Sequence, residues 1–222
     1  MAPPKIELGT RPVLLVGGGG HAKVLIEILR DLMAAGSPYR PAGILDPQAS
    51  GAVLGVPVLG GDDRLESLRG EGIGDVFVAL GSNGLRERVA ARAVVAGYAL
   101  PSLVHPSAVL LRSARIGAGV AVMPRAVIGA DAQVEDLVIV NTGAVVEHDN
   151  QLGVAAHVAP GSALAGNVTL GRRSMIGVGA SVRPGITIGD DVLVGAGSAV
   201  VADLPAAGRY GGVPARLLIK KE

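Results

Sequence analysis

Cysteine and tryptophan are absent from the 222-residue chain, and phenylalanine occurs once, as Phe77. The lack of cysteine excludes a disulfide framework, a thiolate metal site and a cysteine nucleophile. No apolar run approaches the length of a transmembrane helix or of a signal-peptide core, so we expect a cytoplasmic protein. Because aromatic residues make up only 2% of the chain, the core must be built from aliphatic side chains, which suits many similar narrow layers.

The net charge is also close to zero, because 20 Lys and Arg residues and 19 Asp and Glu residues together give +1. Such a chain carries no electrostatic signature for nucleic acid or a membrane surface. Glycine, by contrast, is abundant at 34 residues, which is roughly twice its usual share. These glycines follow no three-residue rule, and collagen is therefore excluded.

An unbroken six-residue repeat runs from Leu103 to Leu204. In all seventeen blocks the second residue is Val, Ile or Leu, and the sixth is small or aliphatic except in the block that ends at Asn150. Neither a helix nor simple strand alternation has a period of six. A six-residue unit supplies a short strand and a corner but cannot bury its apolar side alone, so the repeat predicts a stacked solenoid.

The first hundred residues follow a different pattern, in which short apolar runs alternate with helical stripes. The predicted elements are strands at 12–16, 42–45 and 76–80 and helices at 22–32 and 85–96. This alternation predicts a small α/β domain with a parallel sheet.

Ligands of parallel sheets bind at the carboxyl ends of the strands. The candidate substrate-binding residues there are Gly19, Gly20, His21, Asp46, Gly81 and Asn83. Backbone N–H groups at a helix N-terminus attract anions, so we favour phosphate or sugar binding over a glycine turn without a ligand. NAD is disfavoured because about 90 residues hold too small a sheet for a dinucleotide. For His21, a sugar or phosphate contact and a solvent-exposed position in the first helical turn remain open alternatives.

Four motifs carry a resemblance to one bacterial enzyme family. They are LLVGGGGHAK at 14–23, NTGAVVEHD at 141–149, HVAPGS at 157–162 with GNV at 166–168, and GVPAR at 212–216. Over essentially the whole chain the sequence resembles nucleotide-sugar N-acetyltransferases and their sialic-acid O-acetyltransferase relatives. The resemblance implies a nucleotide-sugar-binding α/β domain at 1–102 and a left-handed parallel β-helix with a C-terminal tail at 103–222. It also implies a homotrimer with active sites between subunits.

The reaction expected from this resemblance is acetyl transfer from acetyl-CoA to the 4-amino group of a nucleotide-linked 4-amino-4,6-dideoxyhexose. GDP-perosamine is the favoured substrate, and lipopolysaccharide O-antigen biosynthesis is the expected setting. A sugar O-acetyltransferase and a non-catalytic β-helix binding module are the alternatives. Relatives often have Ile-Gly-Asp where this chain has Leu152-Gly153-Val154, a departure that bears on the wall of the cleft and on substrate specificity.

Acetyl transfer to an amine requires a base and a group that stabilises the developing oxyanion. Imidazole titrates near neutral pH, and His148 is the candidate base. In an eighteen-residue coil its vertical neighbours are the small residues Ala130 and Gly166. The resemblance makes Asp149 the partner that orients the ring, with Glu147 as a rival.

The acetyl-CoA side of the site is assigned to His157, Gly166, Val178, Ala196 and Arg216. The resemblance gives His157 its place there, and the N–H group of Gly166 is a plausible donor to the thioester carbonyl. Val178 and Ala196 continue an edge that begins at Pro160, in steps of eighteen residues, along which the pantetheine arm would run.

The remaining assignments concern Asn141, the basic residues and the absence of a metal. Asn141 is a candidate for binding the sugar amine or the acetyl group. The candidates for the CoA phosphates are Arg216, Lys220 and Lys221, with Arg172 or Arg173. The histidines lack metal-ligand spacing, so no metal is expected. No serine lies in a strand–turn–helix elbow, which favours direct transfer over an acyl-enzyme. His105 is interpreted as structural.

Overall fold

The computed structural model describes residues 9–205 and 207–218 of the chain. They divide into two compact units between Pro106 and Ser107. In these residues no helix combines the length and the apolar character that crossing a lipid bilayer requires.

The first unit is an α/β fold whose sheet is mostly parallel. Its elements are β1 (Arg11–Val16), α1 (Gly20–Ala34), β2 (Tyr39–Leu45), β3 (Ala52–Val53), β4 (Val56–Gly60), a 3-10 turn (Asp62–Arg64), α2 (Leu65–Gly70), β5 (Asp75–Val78), α3 (Asn83–Val95) and β6 (Leu103–Val104). The strand order is β3-β4-β2-β1-β5, in which only β3 is antiparallel to its neighbour. The central strand β1 is apolar from Val13 to Val16 because both of its faces are buried.

This unit confirms the α/β class and adds elements that the sequence pattern did not predict. The hairpin of β3 and β4 and the short helix α2 lie between the second and third predicted strands. His105, interpreted as structural, has its Nε2 atom 3.0 Å from the Asp31 carboxylate, near the C-terminal end of α1.

The second unit is a parallel β-helix built from very short strands. They are β7 (Val109–Leu110), β8 (Arg115–Ile116), β9 (Ala121–Val122), β10 (Val127–Ile128), β11 (Gln133–Val134), β12 (Ile139–Val140), β13 (Val145–Val146), β14 (Gln151–Leu152), β15 (His157–Val158), β16 (Ala163–Leu164), β17 (Thr169–Leu170), β18 (Met175–Ile176), β19 (Ser181–Val182), β20 (Thr187–Ile188), β21 (Val192–Val194), β22 (Ala199–Val200), β23 (Gly208–Gly211) and β24 (Arg216–Leu217). Through β22, each strand contains the first and second residues of one predicted block, so the repeat is confirmed in register.

Three sheets form the faces of this β-helix. The first face contains β7, β10, β13, β16, β19 and β22, the second contains β8, β11, β14, β17 and β20, and the third includes β9, β12, β15, β18, β21, β23 and β24. Neighbouring residues on a face are eighteen apart, as in the pairing of Val145 with Ala163. The second residue of each block points inward, and the first points outward and forms a row along the face.

Three columns of corners connect the faces. We call the corners that follow first-face, second-face and third-face strands the first, second and third corners. The fourth residues of the blocks stack within each column, so that His148 and Gly166 belong to first corners and Pro160, Val178 and Ala196 to third corners. A side chain's corner therefore decides which other side chains of the same chain it can meet.

Candidate active site

His148 and Asp149 form a hydrogen-bonded pair at a first corner. The Nδ1 atom of His148 lies 2.7 Å from Oδ2 of Asp149. A carboxylate only accepts hydrogen bonds, so Nδ1 carries the proton and Nε2 keeps its lone pair. The pKa of His148 is raised above its usual value, first by this hydrogen bond and then by the negative charges of Asp149 and Glu147. Asp149 therefore makes the contact that orients the ring, while Glu147 acts only through its charge.

Gly166 lies directly against the imidazole, as the eighteen-residue register predicts. A Cβ atom at this position would be 2.5 Å from both Cε1 and Nε2 of His148. The side chain of His148 is otherwise 63% exposed, so few groups hold the ring apart from Asp149 and the Gly166 backbone. The absence of a side chain at Gly166 is what allows the ring to occupy this place.

The backbone N–H of Gly166 is not engaged by the described residues, and the residue itself is buried against the imidazole. Sheet and corner hydrogen bonds use other amides of each block, and among the described residues no acceptor is found for the Gly166 N–H. At other corners the fourth amide of a block is taken by a side-chain oxygen, as when Arg172 N donates to Asp190 at 2.8 Å. The Gly166 amide thus lies close to the Nε2 atom of His148 with its hydrogen-bonding capacity unused.

Asn141 and His157 form a second pair, on the third face and its corner. Oδ1 of Asn141 accepts the N–H of Thr142 at 2.8 Å, which turns Nδ2 toward Nε2 of His157 at 3.1 Å. Since the Asn141 amide donates, Nε2 of His157 accepts and the ring proton is on Nδ1. His157 is 8% exposed. The sequence pattern did not predict this pair.

One chain does not bring these two pairs to the same corner. His148 and Gly166 follow first-face strands, whereas Asn141 follows a third-face strand and His157 lies within one. The edge formed by Pro160, Val178 and Ala196 also belongs to the third corners.

The predicted pantetheine edge is continuous and accessible. Gly179 N donates to Pro160 O at 3.0 Å and Gly197 N donates to Val178 O at 2.9 Å, so the three fourth-position residues are stacked. Val178 is 54% exposed, and Ala196 is also exposed. A ligand laid along this edge would meet an apolar surface.

The basic residues assigned to the CoA phosphates differ in the hydrogen bonds and ion pairs that they make. The guanidinium of Arg173 binds the Asp191 carboxylate through two nitrogens, and this contact holds the pKa of Asp191 below its usual value. Arg216 is exposed, and its NH1 group donates to Ala215 O at 2.9 Å. Lys220 and Lys221 lie outside the described residues.

A cleft of about 300 Å³ opens in the first unit at the carboxyl ends of β1 and β2. Its walls include Gly17, Asp46 and Leu80. The Asp46 carboxylate accepts the N–H of Gly18 at 2.7 Å and that of Gln48 at 2.8 Å. Asp46 therefore joins the glycine turn to the loop after β2 and shapes the cleft.

Two predicted glycine positions leave the start of α1 uncovered. Gly19 is the N-cap and Gly20 the first residue of α1, and no atom lies within 4 Å of the place where either would carry a Cβ. Gly19 and Gly20 are exposed, and amides at a helix N-terminus in general attract anions.

His21 is half-buried rather than exposed in the first turn of α1. Its Nε2 atom is buried and has no hydrogen-bond partner in the part of the chain that the structure describes. Burial, followed by the charge of Arg86, lowers the pKa of His21 to about 4. The ring is therefore neutral near pH 7 and offers no charge to a phosphate.

Gly81 and Asn83 lie where α3 begins, at the carboxyl end of β5. Asn83 Oδ1 accepts from the buried guanidinium of Arg86 at 3.0 Å, and Arg86 also donates to Leu80 O at 3.0 Å. These bonds hold the loop before α3 in place from its buried side.

No cluster of three or more His, Asp or Glu side chains able to hold a metal ion occurs in residues 9–205 and 207–218.

Comparison with protein-family models matches both units. Residues 12–93 match the PglD N-terminal domain, and residues 167–202 match the six-repeat bacterial transferase hexapeptide family.

Two relatives illustrate the similarity of nearly the whole chain, and a third matches half of it. A perosamine N-acetyltransferase variant from Caulobacter crescentus, solved with CoA and GDP-perosamine, is 47% identical with a TM-score of 0.90, over 98% of this chain and all of that one. The acetyltransferase domain of PglB from Neisseria gonorrhoeae, solved with acetyl coenzyme A, is 40% identical with a TM-score of 0.89, over 95% of this chain and all of that one. UDP-N-acetylbacillosamine N-acetyltransferase from Bacillus subtilis is 38% identical over 113 residues, a match that spans half of each chain.

Proposed function

This chain belongs to the nucleotide-sugar N-acetyltransferases, hexapeptide-repeat enzymes with a left-handed β-helix that use acetyl-CoA, and from that membership we propose its substrate and mechanism. The acceptor is the 4-amino group of a nucleotide-linked 4-amino-4,6-dideoxyhexose, with GDP-perosamine favoured. The support for this sugar is the 47% identity to a perosamine N-acetyltransferase across nearly the whole chain.

The observation that carries the mechanism is the His148–Asp149–Gly166 arrangement. It combines an imidazole whose Nε2 atom can accept a proton with an N–H group on the neighbouring coil that has no acceptor among the described residues. Acetyl transfer needs this combination, because one group must remove a proton while another stabilises the charge that develops on the carbonyl oxygen.

In the proposed reaction, the neutral amine attacks the thioester carbon. The carbon–nitrogen bond forms, the carbon–sulfur bond breaks, and the amine proton passes to Nε2 of His148. Asp149 holds Nδ1–H and stabilises the imidazolium that results. The Gly166 N–H donates to the carbonyl oxygen, and His148 returns the proton to the departing thiolate.

The nucleotide part of the substrate is assigned to the first unit. The amides at Gly19 and Gly20 suit the diphosphate, and the cleft beside Asp46 suits the nucleoside. His21, being neutral and buried at Nε2, supports the wall of this site, and any direct contact with the sugar would use another part of its ring. Gly81 and Asn83 form the neighbouring wall.

A complete site requires two chains in this proposal. The acetyl-CoA side, made by Asn141, His157 and the third-corner edge, belongs to one subunit of a homotrimer, and His148 is supplied by the next. Their positions on different corners of one chain support this assembly.

The test is an assay of thiol release from acetyl-CoA with a panel of sugar nucleotides. The panel contains GDP-perosamine, a UDP-linked 4-amino sugar and the matching 4-hydroxy compounds. We expect release with the 4-amino compounds and the highest kcat/KM with GDP-perosamine. Comparable kcat/KM for the hydroxy compounds would identify an O-acetyltransferase, and no release with any compound would refute the proposal.

A further inference from the structure

Asn150 departs from the hexapeptide pattern one residue after the His148–Asp149 pair. It ends its block where every other block has a small or aliphatic residue, and it is 0% exposed. A buried primary amide is costly unless its donors and acceptor are satisfied. The contacts of Asn150 therefore indicate what this position requires.

Its side chain joins two coils. Nδ2 donates to Glu147 O at 2.7 Å and to Ala165 O at 3.0 Å. Oδ1 accepts the N–H of Val168 at 2.9 Å. Both amide hydrogens and the carbonyl oxygen are thus engaged, and all three partners are backbone groups.

These partners flank the candidate catalytic groups. The Glu147 carbonyl belongs to the peptide that leads into His148, and Ala165 and Val168 bracket Gly166 on the next coil. The imidazole is mostly exposed, and its position depends on the backbone that carries it and on the Gly166 surface beneath it.

We propose that Asn150 is a positioning residue that fixes the height of His148 above Gly166. Its hydrogen bonds keep a fixed distance between the corner that carries His148 and the corner that carries Gly166. The base and the N–H donor can then reach the same thioester. This inference rests on the proposed role of His148. A misplacement of about 1 Å in such a site is enough to cost roughly a hundredfold in rate.

The chain contains a matched control for the same kind of brace. Ser174, also the sixth residue of its block, donates to Gly189 O at 2.6 Å and accepts the N–H of Val192 at 2.9 Å. These partners are 15 and 18 residues ahead, as Ala165 and Val168 are for Asn150. Ser174 lies at a second corner, which carries the CoA-phosphate candidates Arg172 and Arg173 but none of the residues proposed for proton transfer.

The experiment compares Asn150→Ala with Ser174→Ala in the full-length protein, with acetyl-CoA and the best amino sugar nucleotide of the panel. Alanine occupies the sixth position of other blocks, so both variants are expected to fold with a lower Tm. We expect Asn150→Ala to lose at least tenfold in kcat with little change in KM, while Ser174→Ala keeps its kcat. We also expect the acid limb of the rate profile to move to lower pH only in Asn150→Ala, because the His148–Asp149 contact loosens.

Three outcomes would contradict the role of Asn150 or the mechanism on which it rests. A folded Asn150→Ala variant with wild-type kcat and an unchanged pH profile would overturn the inference, as would an equal loss of kcat in Ser174→Ala. If Asn150→Ala does not fold, Asn150→Ser, which keeps one donor and one acceptor, is compared in the same way. His148→Ala is measured in parallel, since a fully active His148→Ala variant would refute the base mechanism itself rather than the role of Asn150.

Discussion

At the scale of single residues, the chemistry depends on the Nε2 lone pair of His148. Asparagine at this position keeps a polar side chain but cannot take a proton near pH 7. We therefore expect His148→Asn to lower kcat by about a hundredfold or more, the range of a positioned general base. Steady-state kinetics with saturating acetyl-CoA measures this loss. A variant with the wild-type kcat would show that amine and thioester react through proximity alone.

Asp149 gives the pH dependence a definite direction. The pKa of His148 is raised chiefly by its hydrogen bond to Asp149, and below that pKa the ring is protonated and cannot accept the amine proton. The rate should fall on the acid side, at a pH above the usual titration of histidine. In Asp149→Asn the pKa of His148 returns toward its usual value, so the acid limb should move to lower pH. A limb that stays in place would assign the titration to another group.

Gly166 limits what can stand beside the base. In Gly166→Ala the new Cβ would lie 2.5 Å from the imidazole, and the exposed ring would have to swing aside. We expect kcat to fall about tenfold or more with little change in Tm. The matched control is Gly195→Ala, because a Cβ there meets no atom closer than 3.5 Å. Equal kcat values for the two variants would contradict a role for this contact.

The residues of the site differ in how far the sequence predicts their surroundings. The stacking of His148 on Gly166 follows from the eighteen-residue register alone. The Asn141–His157 bond was available in the same register, because His157 pairs with Ile139 and Asn141 points to the same side two residues later. The register alone does not predict the bond, because both residue types also suit contacts with a ligand. The partial burial of His21 and the enclosure of its Nε2 atom depend on the packing of α1 near Arg86, which no local sequence pattern predicts.

At the scale of elements, α1 carries a titratable group that couples folding to pH. The pKa of His21 is lowered to about 4 in the folded state, mainly by burial, against about 6.5 in an unfolded chain. As the pH falls from 6.5 to 4, the unfolded chain takes up a proton that the folded one does not, so the free energy of unfolding decreases by about 3 kcal/mol. Thermal unfolding across this range should show the loss, and His21→Phe should reduce it. An unchanged slope in that variant would assign the effect to other groups.

The elements themselves show where sequence patterns succeed. The strands of the β-helix were predicted by position because one period fixes all of them. The β3–β4 hairpin was missed because its turn residues are Leu54 and Gly55, both with positive φ. Such turns usually contain Asn-Gly or Asp-Gly, and leucine in this conformation carries no sequence signal. Short two-residue strands such as β3 are formed by pairing, not by propensity.

At the scale of the whole molecule, the outward rows of the β-helix differ in polarity. The second face carries Arg115, Gln133, Gln151, Thr169 and Thr187, and the first face carries Val109, Val127, Val145, Ala163, Ser181 and Ala199. Val109 is 49% exposed. The first-face row is apolar except for Ser181, as a contact with another copy of the chain in the proposed homotrimer would require, and the second-face row is polar throughout.

In the proposed homotrimer, subunits that carry different substitutions test whether the site is shared between chains. His148→Ala and His157→Ala chains, each expected to lose most of its activity alone, would be unfolded, mixed in equal amounts and refolded together. If one subunit supplies His148 and the next supplies His157, about a quarter of the sites should contain both histidines and regain activity. No activity in the mixture, with trimers present by sedimentation, would mean that both residues act within one chain.

The eighteen-residue register also governs how such a chain can change its length. Removing one full coil shortens the β-helix by one strand spacing, about 4.8 Å, and leaves every outward row on its own face. Removing six residues instead turns everything beyond the cut by a third of a revolution, so that a valine row would continue as a threonine row. We therefore expect insertions and deletions to be tolerated in whole coils, and a variant lacking 169–186 should fold with a higher Tm than one lacking 169–174.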